Sequence, residues 1–154
     1  MKTPPVDIHT HNLQALPPAV ISVDPATPRD PMRLYSVGIH PWNSAEATDT
    51  DLALLDQAAL DPSVVAIGET GLDKLRGAPL DRQTQLLRHH IDLSERLGKP
   101  LILHIVKAFN EIIELRRQLH PAQPWIIHGF RGGPQLAADL LRHGFDISLG
   151  HHFN

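Results

Sequence analysis

Two histidines near the start of the chain have the type and spacing of metal ligands. They lie in Asp7-Ile8-His9-Thr10-His11, which reads as a β-strand. Alternate residues of a strand face the same side, about 7 Å apart, so both imidazoles can converge on one ion at about 2.0–2.1 Å. The pair alone fits a solvated loop equally well, and only the rest of the chain distinguishes the two interpretations.

Four later strand-like runs also end in a residue that can bind a metal. These residues are His40, Glu69, His104 and His128. Each one alone is more simply explained as a hydrogen-bonded structural residue or a surface carboxylate. Together they form a set of nitrogen and oxygen ligands that suits zinc, manganese, iron or magnesium, and the many imidazoles favour a transition metal. The sequence has no cysteine, which excludes thiolate ligands, disulfides and cysteine nucleophiles.

Short apolar strands alternate with helices along the chain. The predicted strands are Val6–His11, Ala19–Val23, Leu34–His40, Val64–Glu69, Leu101–Ile105, Trp125–His128 and Phe145–Leu149. The predicted helices are Asp49–Leu60, Pro79 or Leu80 to Leu97, Ala108–Leu119 and Pro134–His143. This alternation is typical of an α/β protein with a parallel sheet and right-handed crossovers. Because metal-binding residue types close five of the seven strands, the pattern favours a TIM-type (β/α) barrel over a doubly wound open sheet.

The composition is that of an ordinary globular domain. Its 154 residues are expected to form one domain, spanning residues 1–154. The formal charge of −3 demands no strongly basic surface, so composition indicates no stable nucleic-acid partner held through phosphates alone. No apolar run approaches the length of a membrane span and no signal-peptide pattern is present, so we expect a cytoplasmic address and no membrane partner.

The motifs together resemble those of the TatD-type metal-dependent hydrolases, an amidohydrolase-like family of deoxyribonucleases. The resemblance rests on Asp-x-His-x-His, Gly-Ile-His-Pro, Gly-Glu-Thr-Gly-Leu-Asp, Gly-Phe-x-Gly and the strand-end His104 and His128. It runs from Val6 to about Gly150, and the Gly-Glu-x-Gly-Leu-Asp element is its most specific part. The resemblance implies a distorted TIM barrel, two divalent metal ions, and hydrolysis of DNA phosphodiesters by a metal-activated water.

The resemblance also assigns metal ligands to individual positions. His9 and His11 would hold the first metal, and Glu69 would bridge the two ions. His104 and His128 would hold the second metal. The metals themselves would be zinc, manganese, magnesium or iron, and DNA would be the substrate.

Four further residues complete the predicted site. His40 and Asp73 would lie at its rim as substrate-binding or ligand-orienting groups, and with Glu69 they are the predicted catalytic residues. Lys107 and Arg131 lie three residues past the ligands of strands five and six, where they are positioned to bind a substrate phosphate. Ordinary solvated charge explains these last two residues equally well.

The sequence departs from the family pattern at two places. The family has an arginine two residues after the strand-five histidine, where this chain has Val106 and a cation only at Lys107. The family's last ligand, an aspartate on an eighth strand, has no counterpart before Asn154. We therefore expect an incomplete barrel of about seven strands, with weak or absent hydrolysis and a second metal site that persists better than the first. Its open sheet edges favour self-association.

Two other functions stay open. A PHP-type phosphoesterase also opens with Asp-x-His-x-His and uses seven strands, but the Gly-Glu-Thr-Gly-Leu-Asp element argues against it. A catalytically inactive barrel remnant would instead bind metal or a partner through its open edge.

Overall fold

Six parallel strands form one sheet whose order follows the sequence. The computed structural model describes residues 8–149, in which the strands pair as β1-β2-β3-β4-β5-β6. Their bounds are β1 Val20–Val23, β2 Leu34–Val37, β3 Val64–Asp73, β4 Leu101–Val106, β5 Trp125–Phe130 and β6 Asp146–Leu149. A doubly wound sheet reverses its strand order near the middle, so the sequential order agrees with the predicted barrel-type architecture and not with that alternative.

The helices begin and end where local signals place them. Those in the described residues are α1 Asp49–Ala59, α2 Leu80–Leu97, α3 Phe109–Leu119 and α4 Pro134–Arg142. Thr48 opens α1 with a capping box, in which its hydroxyl accepts from Asp51 N–H and the Asp51 carboxylate accepts from Thr48 N–H. Gly98 ends α2 in the left-handed conformation, with a φ of 66°. Each helix bound therefore lies within one residue of its predicted position.

Strand β3 runs four residues further than predicted, through the whole Gly-Glu-Thr-Gly-Leu-Asp element to Asp73. Its glycines allow close approach to β4. A Cβ on Gly68 would lie 2.3 Å from the carbonyl oxygen of Ile102, and one on Gly71 would lie 2.2 Å from that of His104. Both glycines have a positive φ, which other residues rarely adopt. The predicted strand end at Glu69 was therefore wrong, and Glu69 lies inside the strand.

Two strand predictions near the start of the chain also need correction. Of the first predicted strand, residues 6–7 lie outside the described residues, and the rest makes only a single parallel bridge, from Thr10 to Ile21. The chain then turns at Asn12, whose side chain accepts from Gln14 N–H. Strand β2 ends at Val37, before a short 3-10 helix, Pro41–Asn43. The sheet thus has six strands in the described part of the chain, where about seven were expected.

The sheet is strongly curled. Thr10 pairs with the outer side of β1, and His128 lies on β5, so the two segments are five strand spacings apart, or about 24 Å in a flat sheet. The rings of His9 and His128 nevertheless lie 3.9 Å apart between centroids. The described residues therefore form a curled half-barrel, which agrees with the predicted α/β barrel class.

The core is one apolar cluster to which both the sheet and the helices contribute. Trp125 of β5 and Phe145 are fully buried, with their rings edge to face at 5.9 Å. Leu87 of α2 and Ile112 of α3 join the same apolar cluster. No helix in the described residues is long and apolar enough to cross a membrane.

Candidate metal centre

The carboxylate of Glu69 lies at the centre of the histidines that the sequence singles out. It is 6% exposed, inside β3. Its Oε1 accepts a hydrogen bond from His40 Nε2 over 2.7 Å and lies 3.4 Å from His104 Nδ1. Its Oε2 lies 3.3 Å from His9 Nε2. Side chains from three other segments of the chain thus meet at one carboxylate.

The possible ligand atoms fall into two groups that share Glu69. One group is His9, Glu69 and His128, and the other is His40, Glu69 and His104. Within each group the ligand atoms lie within 4.8 Å of one another. The resemblance paired His128 with His104, whereas the curl of the sheet brings His128 against His9. The ligand roles themselves stay predictions.

His11 lies beside this arrangement and is exposed. Its Nε2 is 3.3 Å from His9 Nε2, and the two rings are edge to face at 4.9 Å. This short distance agrees with the convergence expected of two histidines at i and i+2.

A cleft of about 690 Å³ opens directly onto Glu69. Its lining includes the five histidines named above and three acidic side chains, Asp24, Glu46 and Asp51. No lysine or arginine lines it among the residues described. Lys107, at the left-handed φ of 55°, and Arg131 are both exposed and lie outside this lining, so their binding of phosphate stays a prediction.

Comparison with known proteins decides the family. A family model described as TatD related DNase matches residues 26–154, which is most of the chain. This chain belongs to the TatD related DNase family. The chain is also similar to the crystal structure of YjjV, a TatD homologue from Escherichia coli K12. The TM-score is 0.70 and the sequence identity 27%, and the match covers 82% of this chain and 54% of the YjjV chain.

Two curated relatives carry names that agree with a metal-dependent chemistry. The uncharacterized metal-dependent hydrolase TatD of Mycobacterium tuberculosis is 32% identical over 124 residues, covering 76% of this chain and 47% of that protein. The uncharacterized metal-dependent hydrolase YjjV of Escherichia coli K12 is 34% identical over 122 residues, with the same two coverages. The chain thus spans about half the length of the curated relatives that it matches.

The electrostatics of this TatD-family site keep Glu69 ionised. Burial acts to raise the pKa of its carboxyl, but hydrogen bonds from His104 and His40 and the charge of His9 outweigh burial and hold the pKa well below its usual range. Oε2 is buried and accepts no hydrogen bond from the described residues. A buried carboxylate oxygen without a donor is unfavourable, and a cation is the partner that suits it. The residues present therefore fit a divalent metal.

Asp73 orients His104. It is 3% exposed, and its Oδ2 accepts from His104 Nε2 over 2.9 Å and from Trp42 Nε1 over 2.8 Å. Burial acts to raise the pKa of Asp73, and these hydrogen bonds together with one from Leu75 N–H bring it below its ordinary value. Burial likewise acts to lower the pKa of His104, but Glu69 and Asp73 raise it. With Nε2 directed at Asp73, His104 presents Nδ1 to Glu69.

His40 has the opposite arrangement of its ring nitrogens. Its Nδ1 accepts from the backbone N–H of Trp42 over 3.1 Å, so Nε2 carries the proton that it donates to Glu69. A protonated nitrogen has no lone pair for a metal. This geometry favours the rim role predicted for His40 over a ligand role.

Two positioning residues of α2 escaped the sequence analysis. His90 is fully buried, donating from Nδ1 to Leu86 O over 2.7 Å and accepting at Nε2 from Ile39 N–H over 2.9 Å. It thereby fixes the backbone just before His40. Gln83 is 1% exposed and binds the backbone of Asp73 through two hydrogen bonds. Its side chain accepts from the N–H of Asp73 and donates to the carbonyl oxygen of Asp73. His90 follows Leu86 and Leu87 by four and three residues, so its place on the apolar face of α2 was the available signal.

Proposed function

We propose that this TatD-family chain hydrolyses DNA phosphodiesters with divalent metal ions bound around Glu69. The observation that carries the proposal is the buried Glu69 carboxylate, shared by two groups of histidines, with an Oε2 that accepts no hydrogen bond from the described residues. The metal-dependent names of the relatives and the DNase description of the family support the same chemistry.

The residues around Glu69 would hold two separate ions. His9, His128 and Glu69 would hold one ion, with His11 close enough to join them. His104 would present Nδ1 to a second ion, since Asp73 occupies its Nε2. Divalent ions held there supply activation of water as the nucleophile and neutralisation of charge that develops on the phosphate.

His40 would act on the substrate side of the centre. Its side chain lines the cleft and carries a proton at Nε2, which it donates to Glu69 in the absence of substrate. That proton can instead be donated to a phosphate oxygen, which stabilises the charge that forms as the bond to phosphorus breaks. Asp73 acts further back, holding His104 in the orientation that its neighbours require.

A nuclease assay tests the proposal. The full chain, loaded with Mn²⁺ or Mg²⁺, is incubated with an end-labelled single-stranded oligonucleotide, and product length is followed by electrophoresis. We expect weak metal-dependent cleavage that Glu69→Gln abolishes. The matched control is Glu114→Gln, which removes an exposed carboxylate on α3 and should leave cleavage unchanged. Absence of cleavage by protein with bound metal would contradict the proposed activity, as would an active Glu69→Gln variant.

Calorimetric titration with Mn²⁺ tests the number of ions and their order. We expect one tight site and one weaker site. Two equally tight sites would contradict the expectation that one metal site persists better than the other, and three sites would favour the PHP-type alternative. Sedimentation in the same buffer tests the proposed self-association through the sheet edges. A concentration-dependent oligomer with no turnover would favour the inactive remnant.

A further inference from the structure

We propose that Trp42 and Arg76 form a stacking platform at the rim of the cleft, which binds a nucleobase of the substrate and the phosphate next to it. The inference rests on the proposed action on nucleic acid and adds a site for the part of the substrate beyond the reacting phosphate. Trp42 lines the cleft and is 43% exposed, although it lies beside the groups around Glu69. The other tryptophan, Trp125, is fully buried in the core.

The indole of Trp42 is fixed in place despite its exposure. Its Nε1 donates to Asp73 over 2.8 Å, and its backbone N–H donates to His40 over 3.1 Å. Its ring lies edge to face with the rings of His40 and His104, at 4.8 and 5.7 Å between centroids. A rigid, exposed aromatic ring binds a base with little loss of side-chain entropy, and any base can stack on it.

Arg76 supplies the positive charge. Its guanidinium lies 3.7 Å from the centroid of the indole, over one face. None of the carboxylates in the described residues is within ion-pair distance of it, in contrast to Arg96, Arg117 and Arg142, which pair with carboxylates of their own helices. A guanidinium that is held by an aromatic ring but has no acidic partner is available to a phosphate.

The charges of the cleft favour the same path for the substrate. The lining of the cleft also includes the carboxylates of Asp24, Glu46 and Asp51, and a phosphate would be repelled by them. The rim with Trp42 and Arg76 offers both a cation and a stacking surface. A nucleic-acid strand is therefore expected to leave the metal centre over Trp42 and Arg76 and not over the acidic side chains.

Tryptophan fluorescence gives a direct binding assay, because Trp42 is exposed and Trp125 is buried. The full chain is titrated with a single-stranded pentathymidylate in Ca²⁺ buffer at low salt, and with an abasic pentamer of the same length. We expect the pentathymidylate to quench emission from Trp42 and to bind roughly 10-fold more tightly than the abasic pentamer. The two pentamers should bind to Trp42→Leu with almost equal affinity. Because this variant lacks the reporting indole, its affinities are measured by competition with a dye-labelled pentathymidylate.

Two further variants separate stacking and charge from folding. Trp42→Phe keeps a ring but loses the Nε1 donor, so it should retain most of the preference for bases. Arg76→Gln should lower the slope of log affinity against log salt by about 0.7, the contribution of one phosphate contact to a single strand. Arg96→Gln, which removes an exposed charge on α2, should leave the slope unchanged.

The outcomes distinguish this inference from the proposed function. Equal binding of the two pentamers to the unmodified chain would overturn the platform, and so would an unchanged preference in Trp42→Leu. Base-dependent quenching without any DNA cleavage would support the platform and refute the hydrolase. Cleavage that is unaffected in Trp42→Leu and Arg76→Gln would support the hydrolase and refute the platform.

Discussion

His104 donates a hydrogen bond from Nε2 to Oδ2 of Asp73 over 2.9 Å, and its Nδ1 thereby faces Glu69. This contact fixes the nitrogen that His104 can offer to a metal. Asp73→Asn should weaken binding of Mn²⁺ about 10- to 100-fold, because the ring loses its anionic acceptor and its orientation. Calorimetric titration measures the change, and Asp92→Asn on the exposed face of α2 is the control. Equal Mn²⁺ affinity in the two variants would show that Asp73 has no orienting role.

Gln83 should be a major contributor to stability although it touches no reacting group. Its amide nitrogen lies 2.8–3.0 Å from the carbonyl oxygens of Asp73, Arg76 and Ala78, which share its two N–H donors. Gln83→Leu should lower the free energy of unfolding by about 2–3 kcal/mol, because these buried carbonyl groups lose their donor. Urea unfolding measures the loss. Gln85→Leu, on the exposed side of the same helix, should cost less than about 0.5 kcal/mol.

Substitution of a β3 glycine should destabilise the chain much more than substitution of Gly133, which precedes α4. Gly71→Ala would place a Cβ 2.2 Å from the carbonyl oxygen of His104 at a φ of +145°. We expect a loss of about 3 kcal/mol or more, since both the strands and the backbone angle must shift. Gly133→Ala meets no atom within 4 Å, so it should fold almost normally. Thermal unfolding of the two variants decides the matter, and equal midpoints would refute the close approach of β3 and β4.

Burial of His90 should make stability depend on pH. Complete burial lowers its pKa from the ordinary 6.5 to about 4, against a smaller opposite effect of the hydrogen bond to Leu86. The unfolded chain therefore takes up a proton at a higher pH than the folded chain does, and stability falls as the pH drops from 6.5 towards 4. Between pH 7 and pH 5 the loss should be about 2 kcal/mol.

Urea unfolding at these two pH values measures the effect. His90→Gln cannot take up this proton and should lose about 2 kcal/mol less than the unmodified chain over the same interval. His120→Asn, which replaces an exposed histidine, should keep the full loss. The same pH dependence in all three proteins would mean that His90 is not responsible.

Local signals explain why the helices were predictable. Three of these signals lie within a few residues of the helix end that they determine. They are the capping box at Thr48, Gly98 after α2 and Pro134 at the start of α4. The extent of β3 was missed because its glycines are also typical of turns. Their purpose depends on β4, which is about thirty residues away in the sequence, and no local pattern reports that contact.

The residues of the site were largely predictable from the sequence, whereas their grouping was not. Metal-binding residue types at the predicted strand ends were enough to indicate the residues that meet around Glu69, although the structure places Glu69 inside β3 and His40 after β2. Which histidine joins which group depends on the curl of the sheet, and the sequence does not report that curl. The supporting residues were missed for a different reason. His90 acts on a backbone N–H that lies 51 positions earlier, and its helix by itself does not indicate which distant group the imidazole will bind.

The sequential strand order has a consequence for how the chain acquires its structure. Each described strand pairs only with those before and after it in the chain, so no segment has to be inserted between two strands that are already paired. Assembly can therefore begin at the long β3–β4 pair and grow outward by accretion, one strand and its helix at a time. Such growth keeps the closing loops short, which favours rapid folding for a parallel sheet.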